Sequence, residues 1–290
     1  MIASLLYPCK GILAEGPYWH TAWQSYLWVD IEKGILYRYG WNDQKVKTWT
    51  FPNRLTLVIP DQKGSLILAL DAKLARFHPD TEALDWLAQV EEDKPLNRFN
   101  DGACDAMGRL WAGTMSVKME KGAGSLFCFD KTLIPQSKIA PVTVSNGLAW
   151  SLDGKTLYYI DSPSREIKAY DFEEASGDIQ FREVVVKVPE EMGTPDGMCA
   201  DTEGNLWVGH YGGSGVFAWN PKTGENFEKI EVEAPHVTSC AFGGPENDHL
   251  IITTARENLG KDQLEKYPES GSVFYCKMPV KGAPVHGFGF

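Results

Sequence analysis

One short plan returns six times along this chain. Aligning the apolar runs that follow a polar turn gives Leu27-Trp-Val, Leu66-Ile-Leu, Leu110-Trp-Ala, Leu157-Tyr-Tyr, Leu206-Trp-Val and Leu250-Ile-Ile, spaced 39, 44, 47, 49 and 44 residues apart. A second run follows each: "GILYRYG" from Gly34, "KLARFHP" from Lys73, "GSLFCFD" from Gly124, "EIKAYDF" from Glu166, "SGVFAWNP" from Ser214 and "GSVFYCK" from Gly271. Apolar and polar residues alternate in them, with β-branched and aromatic enrichment, so they read as strands. Asp153-Gly154, Glu203-Gly204-Asn205 and Pro221-Lys222-Thr223-Gly224 supply the turn residues that hairpins need. No convincing amphipathic helix is found. Repeats of this length, built of three or four strands, bury their faces only against their neighbours. The expectation is an all-β, six-bladed β-propeller, residues 1–290 forming a single domain.

The head of the repeat carries a second signal. Glu15, Asp101, Asn146 and Asp196 each stand directly before Gly, at 12, 9, 11 and 10 residues from the aligned Leu. In a propeller the first strand of each blade lines the channel, so these oxygens would converge. Inward oxygens repel one another, or are costly to desolvate, unless something satisfies them. A hard divalent cation does so, so the expectation gains a metal site in the propeller's central channel. No His or Cys joins the column, which favours Ca²⁺, Mg²⁺ or Mn²⁺; zinc with oxygen ligands stays open. Two repeats are lengthened by polar insertions, "SVKMEKGA" in the third and "RENLGKDQLEKYPES" in the sixth, and such loops often shape a site. Trp28, Trp111 and Trp207 repeat in register and read as packing between blades. His210 and Tyr211, just past the fifth repeat's strand, are weaker candidates for the channel rim.

Charge narrows the partners. With 28 Lys and Arg against 39 Asp and Glu, the net charge is −11, a field that repels nucleic acid. No run of 18 apolar residues suggests a membrane span. The first ten residues lack the basic and apolar regions of a signal peptide. The six cysteines show no CxxC pair, and several sit in apolar runs, so they read as reduced core residues of a cytoplasmic protein.

"AEGPYW" with Glu15, "RFNDG" with Arg98, Asn100 and Asp101, "GRLWAGTM", "SNGLAWS" with Asn146, "PDGMCAD" with Asp196 and "TSCAFGG" occur together and in order. This set resembles the gluconolactonase–regucalcin family, also called the senescence marker protein family, across nearly the whole chain. The resemblance implies a six-bladed propeller, which the strand count reaches independently. It implies that Glu15, Asn146 and Asp196 ligate one divalent metal, that Arg98 and Asn100 hold substrate oxygens, and that Glu120 is a substrate-side acid over the channel. Asp101 divides the two readings: the column makes it a fourth ligand, the family pattern a neighbour of the substrate-binding Asn, and it is kept as an outer or water-bridged group.

The implied chemistry is hydrolysis of a small-molecule sugar lactone such as gluconolactone to its acid. Asp196 is the candidate base, since one oxygen can hold the metal while the other accepts a proton. Arg98 adds a fixed positive charge where an oxyanion would develop. Two alternatives remain at this stage: a broader esterase or organophosphate hydrolase on the same site, or a calcium-binding regulatory protein with a structural metal.

Overall fold

Strands bounded by Gly- and Asp-rich turns are what this alternation of residues dictates, and the computed structural model, which describes residues 1–290, contains twenty-four of them. Near the N-terminus lies β1 (Ser4–Tyr7). The first four-stranded sheet is β2 (Ala14–His20), β3 (Ser25–Asp30), β4 (Ile35–Gly40) and β5 (Val46–Thr50). The second is β6 (Leu55–Pro60), β7 (Leu66–Leu70), β8 (Lys73–His78) and β9 (Ala83–Gln89). The third is β10 (Asn97–Cys104), β11 (Leu110–Ser116), β12 (Gly124–Phe129) and β13 (Gln136–Val142). The fourth is β14 (Ser145–Trp150), β15 (Thr156–Asp161), β16 (Glu166–Glu173) and β17 (Asp178–Lys187).

The remaining strands are β18 (Thr194–Ala200), β19 (Leu206–Tyr211), β20 (Gly215–Trp219), β21 (Asn226–Glu231), β22 (His236–Gly243), β23 (His249–Ala255) and β24 (Val273–Lys277). With β1 they form an eight-stranded sheet. A single pair, Tyr211 with His236, joins its two antiparallel four-stranded halves, β18–β21 and β22–β24 with β1. The aligned apolar runs are the second strand of each unit and the runs that follow them the third.

The first strands β2, β6, β10, β14, β18 and β22 touch in sequence, and β22 touches β2, closing a ring. Each of the six apolar clusters lies between consecutive units. Leu27, Val29 and Leu36 meet Val58, Leu66 and Leu68 between the first and second units, for example. Trp28 and Tyr26 meet Ile251 and Val273 where the sixth closes on the first. At about 25 cal/mol per Å² of apolar area, these seams are where the fold gains its stability. Trp28, Trp111 and Trp207 are buried in them, as packing requires.

Away from the ring's polar end, a buried aspartate pins three of the turns between first and second strands. Asp201 Oδ1 accepts from the N–H of Glu203 and Asn205, both at 2.9 Å, while Oδ2 accepts from the Trp207 indole at 2.9 Å. Asp105 does the same for Met107, Arg109 and Trp111, and Asp61 for Lys63 and Ser65. The phrase Asp-x-x-Gly-x-Leu therefore joins a turn to the core it borders.

The sixth unit's insertion contains one short α-helix, α1 (Lys261–Lys266), where the residue pattern gave none. All its residues lie outside the core, so it has no buried apolar face to create a helical period. No helix is long and apolar enough to cross a membrane. All six cysteines are free; four are buried, while Cys9 and Cys199 are partly exposed.

Candidate active site

Every first strand carries a β-bulge at the head of its repeat. The register slips between Glu15 and Tyr18, Leu55 and Leu57, Phe99 and Gly102, Asn146 and Leu148, Pro195 and Met198, and Val237 and Ser239. A bulge re-aims a side chain and sharpens local twist. The glycine after each polar residue has its own reason. A Cβ on Gly147 would lie 2.6 Å from Met198 Cβ and 2.8 Å from the Asp196 carbonyl oxygen, so the next strand could not approach. Gly16 instead supplies a φ of +56°.

Three acids of the column influence one another. Burial pushes Glu15 up to about 8, with the charge of Asp101 adding to it. Burial pushes Asp101 up to about 6. Asp196 is raised well above the carboxylate range by burial first, then by Glu15 and Asp101. The N–H of Gly16 donates to Glu15 at 3.1 Å, and that of Gly102 to Asp101 at 2.7 Å. Arg98 is the cation that reaches Glu15 and Asp196, lowering both, but it forms no ion pair with either.

Around these acids the neutral partners are fixed. The Asn146 amide nitrogen donates to Ser162 Oγ at 2.8 Å, and Ser162 donates to the Pro195 carbonyl at 2.7 Å, just before Asp196. That leaves the Asn146 oxygen as the group not tied to the scaffold on its own strand. It accepts from Asn100 Nδ2 at 3.1 Å, which also donates to the Ser145 carbonyl at 2.8 Å. Arg98 Nη1 donates to Asn100 Oδ1 at 2.6 Å and to the Phe99 carbonyl at 2.9 Å, while its buried Nε has no partner. Burial lowers the Arg98 pKa.

Glu120 stands apart, exposed on the third unit's insertion. Its carboxylate accepts from Ser116 Oγ at 2.9 Å, and Ser116 pairs in register with Asn97, at the Arg98 end of the sheet. His210 is not at the rim: it is fully buried, stacked on Phe217 at 4.2 Å, with Nδ1 paired to the Met192 carbonyl at 2.9 Å. Burial lowers it to about 4. Tyr211 does reach the polar end, within electrostatic range of Asp196 and Glu257.

Two members of the column escape a search for acids and amides. Thr56 lies ten residues before Leu66, the spacing of Asp196 from Leu206, and its buried hydroxyl has no partner. Thr238, in the sixth bulge, donates to the Ala14 carbonyl at 2.6 Å. Below the column an apolar cavity of about 400 Å³ reaches from Gly16 and Asp101 to residues 283–286.

The donor set suits a hard cation. Two acids and an amide present oxygen only, and the acids are held mostly against their own charge. No three His, Cys, Asp or Glu side chains gather closely enough to hold an ion by themselves. An ion here would therefore also draw on the Asn146 amide and on oxygens from outside the protein.

Residues 13–256 match the family described as SMP-30/Gluconolactonase/LRE-like region. A regucalcin from Xenopus laevis is 36% identical over 286 residues, covering 95% of this chain and 94% of its own. A solved structure from Agrobacterium tumefaciens, described as a calcium-binding protein, regucalcin, superposes with a TM-score of 0.95 at 27% identity, over 99% of this chain and 97% of that one. A gluconolactonase from Xanthomonas campestris shares the fold, with a TM-score of 0.75 at 22% identity, over 96% and 88% of the two chains. With the matched model spanning most of its length and these relatives nearly all of it, the chain belongs to the SMP-30/gluconolactonase/LRE-like family.

Proposed function

We propose that the chain is a metal-dependent lactonase that opens a sugar lactone to its acid, on a single six-bladed propeller domain of residues 1–290. The ring of first strands supports the architecture, each unit being one blade. The observation that carries the activity is the join between two sets of residues: Arg98 bonds Asn100, and Asn100 bonds Asn146 beside the acids Glu15 and Asp196. A structural metal site has no use for a buried arginine beside it.

Glu15, Asn146 and Asp196 would hold one divalent metal, Ca²⁺ by the hardness of the donors, with Mg²⁺, Mn²⁺ or Zn²⁺ as competitors. Such an ion polarises a carbonyl and acidifies water. Arg98 would donate to substrate oxygens and fix the ring. Asn100 would hold Arg98 in place beside it, and would itself reach a substrate oxygen only by releasing the Ser145 carbonyl or Asn146. Glu120 would meet the ring from the loop. Asp196 takes a proton from the attacking water as its oxygen bonds the carbonyl carbon. The ring C–O bond then breaks, and the proton returns to the leaving oxygen to complete the new hydroxyl. Asp101 acts from behind, through its charge on Glu15 and Asp196.

The test is proton release on D-glucono-1,5-lactone and other sugar lactones by pH-stat, comparing chelator-stripped protein with protein given each metal. Metal-dependent turnover that vanishes in Asp196→Asn upholds the reading. The likeness to the Agrobacterium calcium-binding protein favours a second one, calcium binding without turnover. Tight Ca²⁺ binding with no hydrolysis of any lactone would select it.

A further inference from the structure

Two of the six thiols meet across a unit boundary. Cys199 lies near the end of β18 and Cys240 in β22, and their sulfurs are 3.7 Å apart. The Cys240 thiol donates to the Trp207 carbonyl at 3.3 Å, so its proton is engaged and the Cys199 thiol points at the Cys240 sulfur. The two strands touch without pairing to each other. Side chains alone hold this part of the ring together.

Both residues line the apolar cavity below the column, with Met198, Ala200, Ala241 and Phe242 beside them. Cys199 is partly exposed and Cys240 buried, so a small solute in the cavity meets Cys199 first. The surroundings decide which chemistry the pair supports. No third His, Cys, Asp or Glu gathers with the thiols, and two thiolates around a cation would carry charge into an apolar space. A disulfide carries none and gives up only two weak donors. Its formation needs the sulfurs to close from 3.7 Å to about 2.05 Å, roughly 0.8 Å of travel for each. Burial holds the Cys199 thiol well above its ordinary pKa, so oxidation is slow and calls for sustained oxidant.

We infer that Cys199 and Cys240 are a redox-modification site, forming a reversible disulfide that locks the fifth and sixth units together. Hydrogen peroxide or a similar small hydroperoxide is the oxidant. The Cys199 sulfur gives up its proton and attacks one peroxide oxygen; the O–O bond breaks, and the departing hydroxide takes that proton to leave as water. Cys199 then carries a sulfenic acid. The Cys240 sulfur attacks the Cys199 sulfur, the S–O bond breaks, and the hydroxyl leaves with the Cys240 proton as a second water. Two electrons pass from the thiols to the peroxide. The new bond closes a span of 41 residues and lies three residues from Asp196 on the same strand. It forms whether or not the protein is a lactonase.

The experiment treats the fully reduced chain with hydrogen peroxide, removes the excess with catalase, and alkylates the remaining thiols with N-ethylmaleimide in denaturant. Alkylated thiols should fall from six to four, and peptide mapping should give one pair bridged through Cys199 and Cys240. Dithiothreitol should restore all six. Closing a long loop predicts a melting temperature about 5 °C higher, or more, in the bridged protein. Cys240→Ser keeps a donor for the Trp207 carbonyl, so it should fold. Lacking the second sulfur, it should accumulate a Cys199 sulfenic acid that dimedone traps. Six thiols left after a dose that fully oxidises free dithiothreitol, a bridge through any other pair, or Cys199 sulfinic acid without a bridge overturns the site. A Cys199–Cys240 bridge with an unchanged melting temperature overturns the lock.

Discussion

The amide of Asn100 donates to Asn146 Oδ1 at 3.1 Å, across the boundary between the third and fourth units. One residue thereby links a proposed substrate contact to a proposed metal ligand. Its other bonds, to Arg98 and to the Ser145 carbonyl, make it the hub of the site. Asn100→Ala leaves Asn146, Ser145 and Arg98 each short of a partner. Unmet buried groups predict a loss of about 1–3 kcal/mol in thermal or denaturant unfolding, together with reduced metal affinity by calorimetry.

Metal-free protein should weaken as pH rises. Glu15, pushed up to about 8, and Asp101, pushed up to about 6, hold protons in the folded state that the unfolded chain has already released. The folded state binds more protons between about pH 4.5 and 8, so its stability is full below the ordinary carboxylate range and falls through that window. The loss should be on the order of a few kcal/mol, because each tenfold gain in proton affinity on folding is worth about 1.4 kcal/mol. Melting curves of chelated protein from pH 4.5 to 9 check the slope. Added Ca²⁺ should raise the melting temperature most at pH 8 and little at pH 5, since deprotonated acids are the ligands.

Gly147→Ala should damage the ring while leaving the side chain of every proposed ligand unchanged. The new Cβ would meet Met198 Cβ at 2.6 Å and the Asp196 carbonyl oxygen at 2.8 Å, and the latter is backbone. Overpacking of this kind predicts a loss of about 1–3 kcal/mol by denaturant unfolding, with metal affinity falling as Asp196 is displaced.

Asp201→Ala probes the opposite end. It strips a partner from the Trp207 indole and from two turn N–H groups, so unfolding should be easier by about 3 kcal/mol or more. In contrast to Gly147→Ala, any protein that remains folded should bind metal normally, because no first-strand residue moves. Calorimetry of the folded fraction separates the two.

Much of the architecture is legible in the amino-acid sequence. Gly, Asp and alternating apolar residues dictate strands locally, so the Leu27-to-Leu250 alignment locates all six second strands. The acids Glu15, Asp101 and Asp196 announce themselves because carboxylates are rarely placed before Gly in an apolar strand. Thr56 and Thr238 do not, since threonine is an ordinary strand residue and only its spacing marks it. The bulges are invisible because an extra residue leaves the composition unchanged. His210 misleads for a related reason: being one position short of the rim means a side chain on the inner face of the sheet.

The pairing of β1 with β24 has a consequence for how the molecule is made. Ser4 through Tyr7 are synthesised long before their partners, Val273 to Tyr275. Until then the sixth sheet lacks β24 and the outer strand paired to it, and the seam on Trp28 lacks Val273. Completion of the sixth sheet therefore waits for β24, and the long loop it closes makes that step slow relative to the local hairpins. A nascent chain short of residue 273 exposes strand edges that a finished one hides, which is when this protein most needs protection from its own kind.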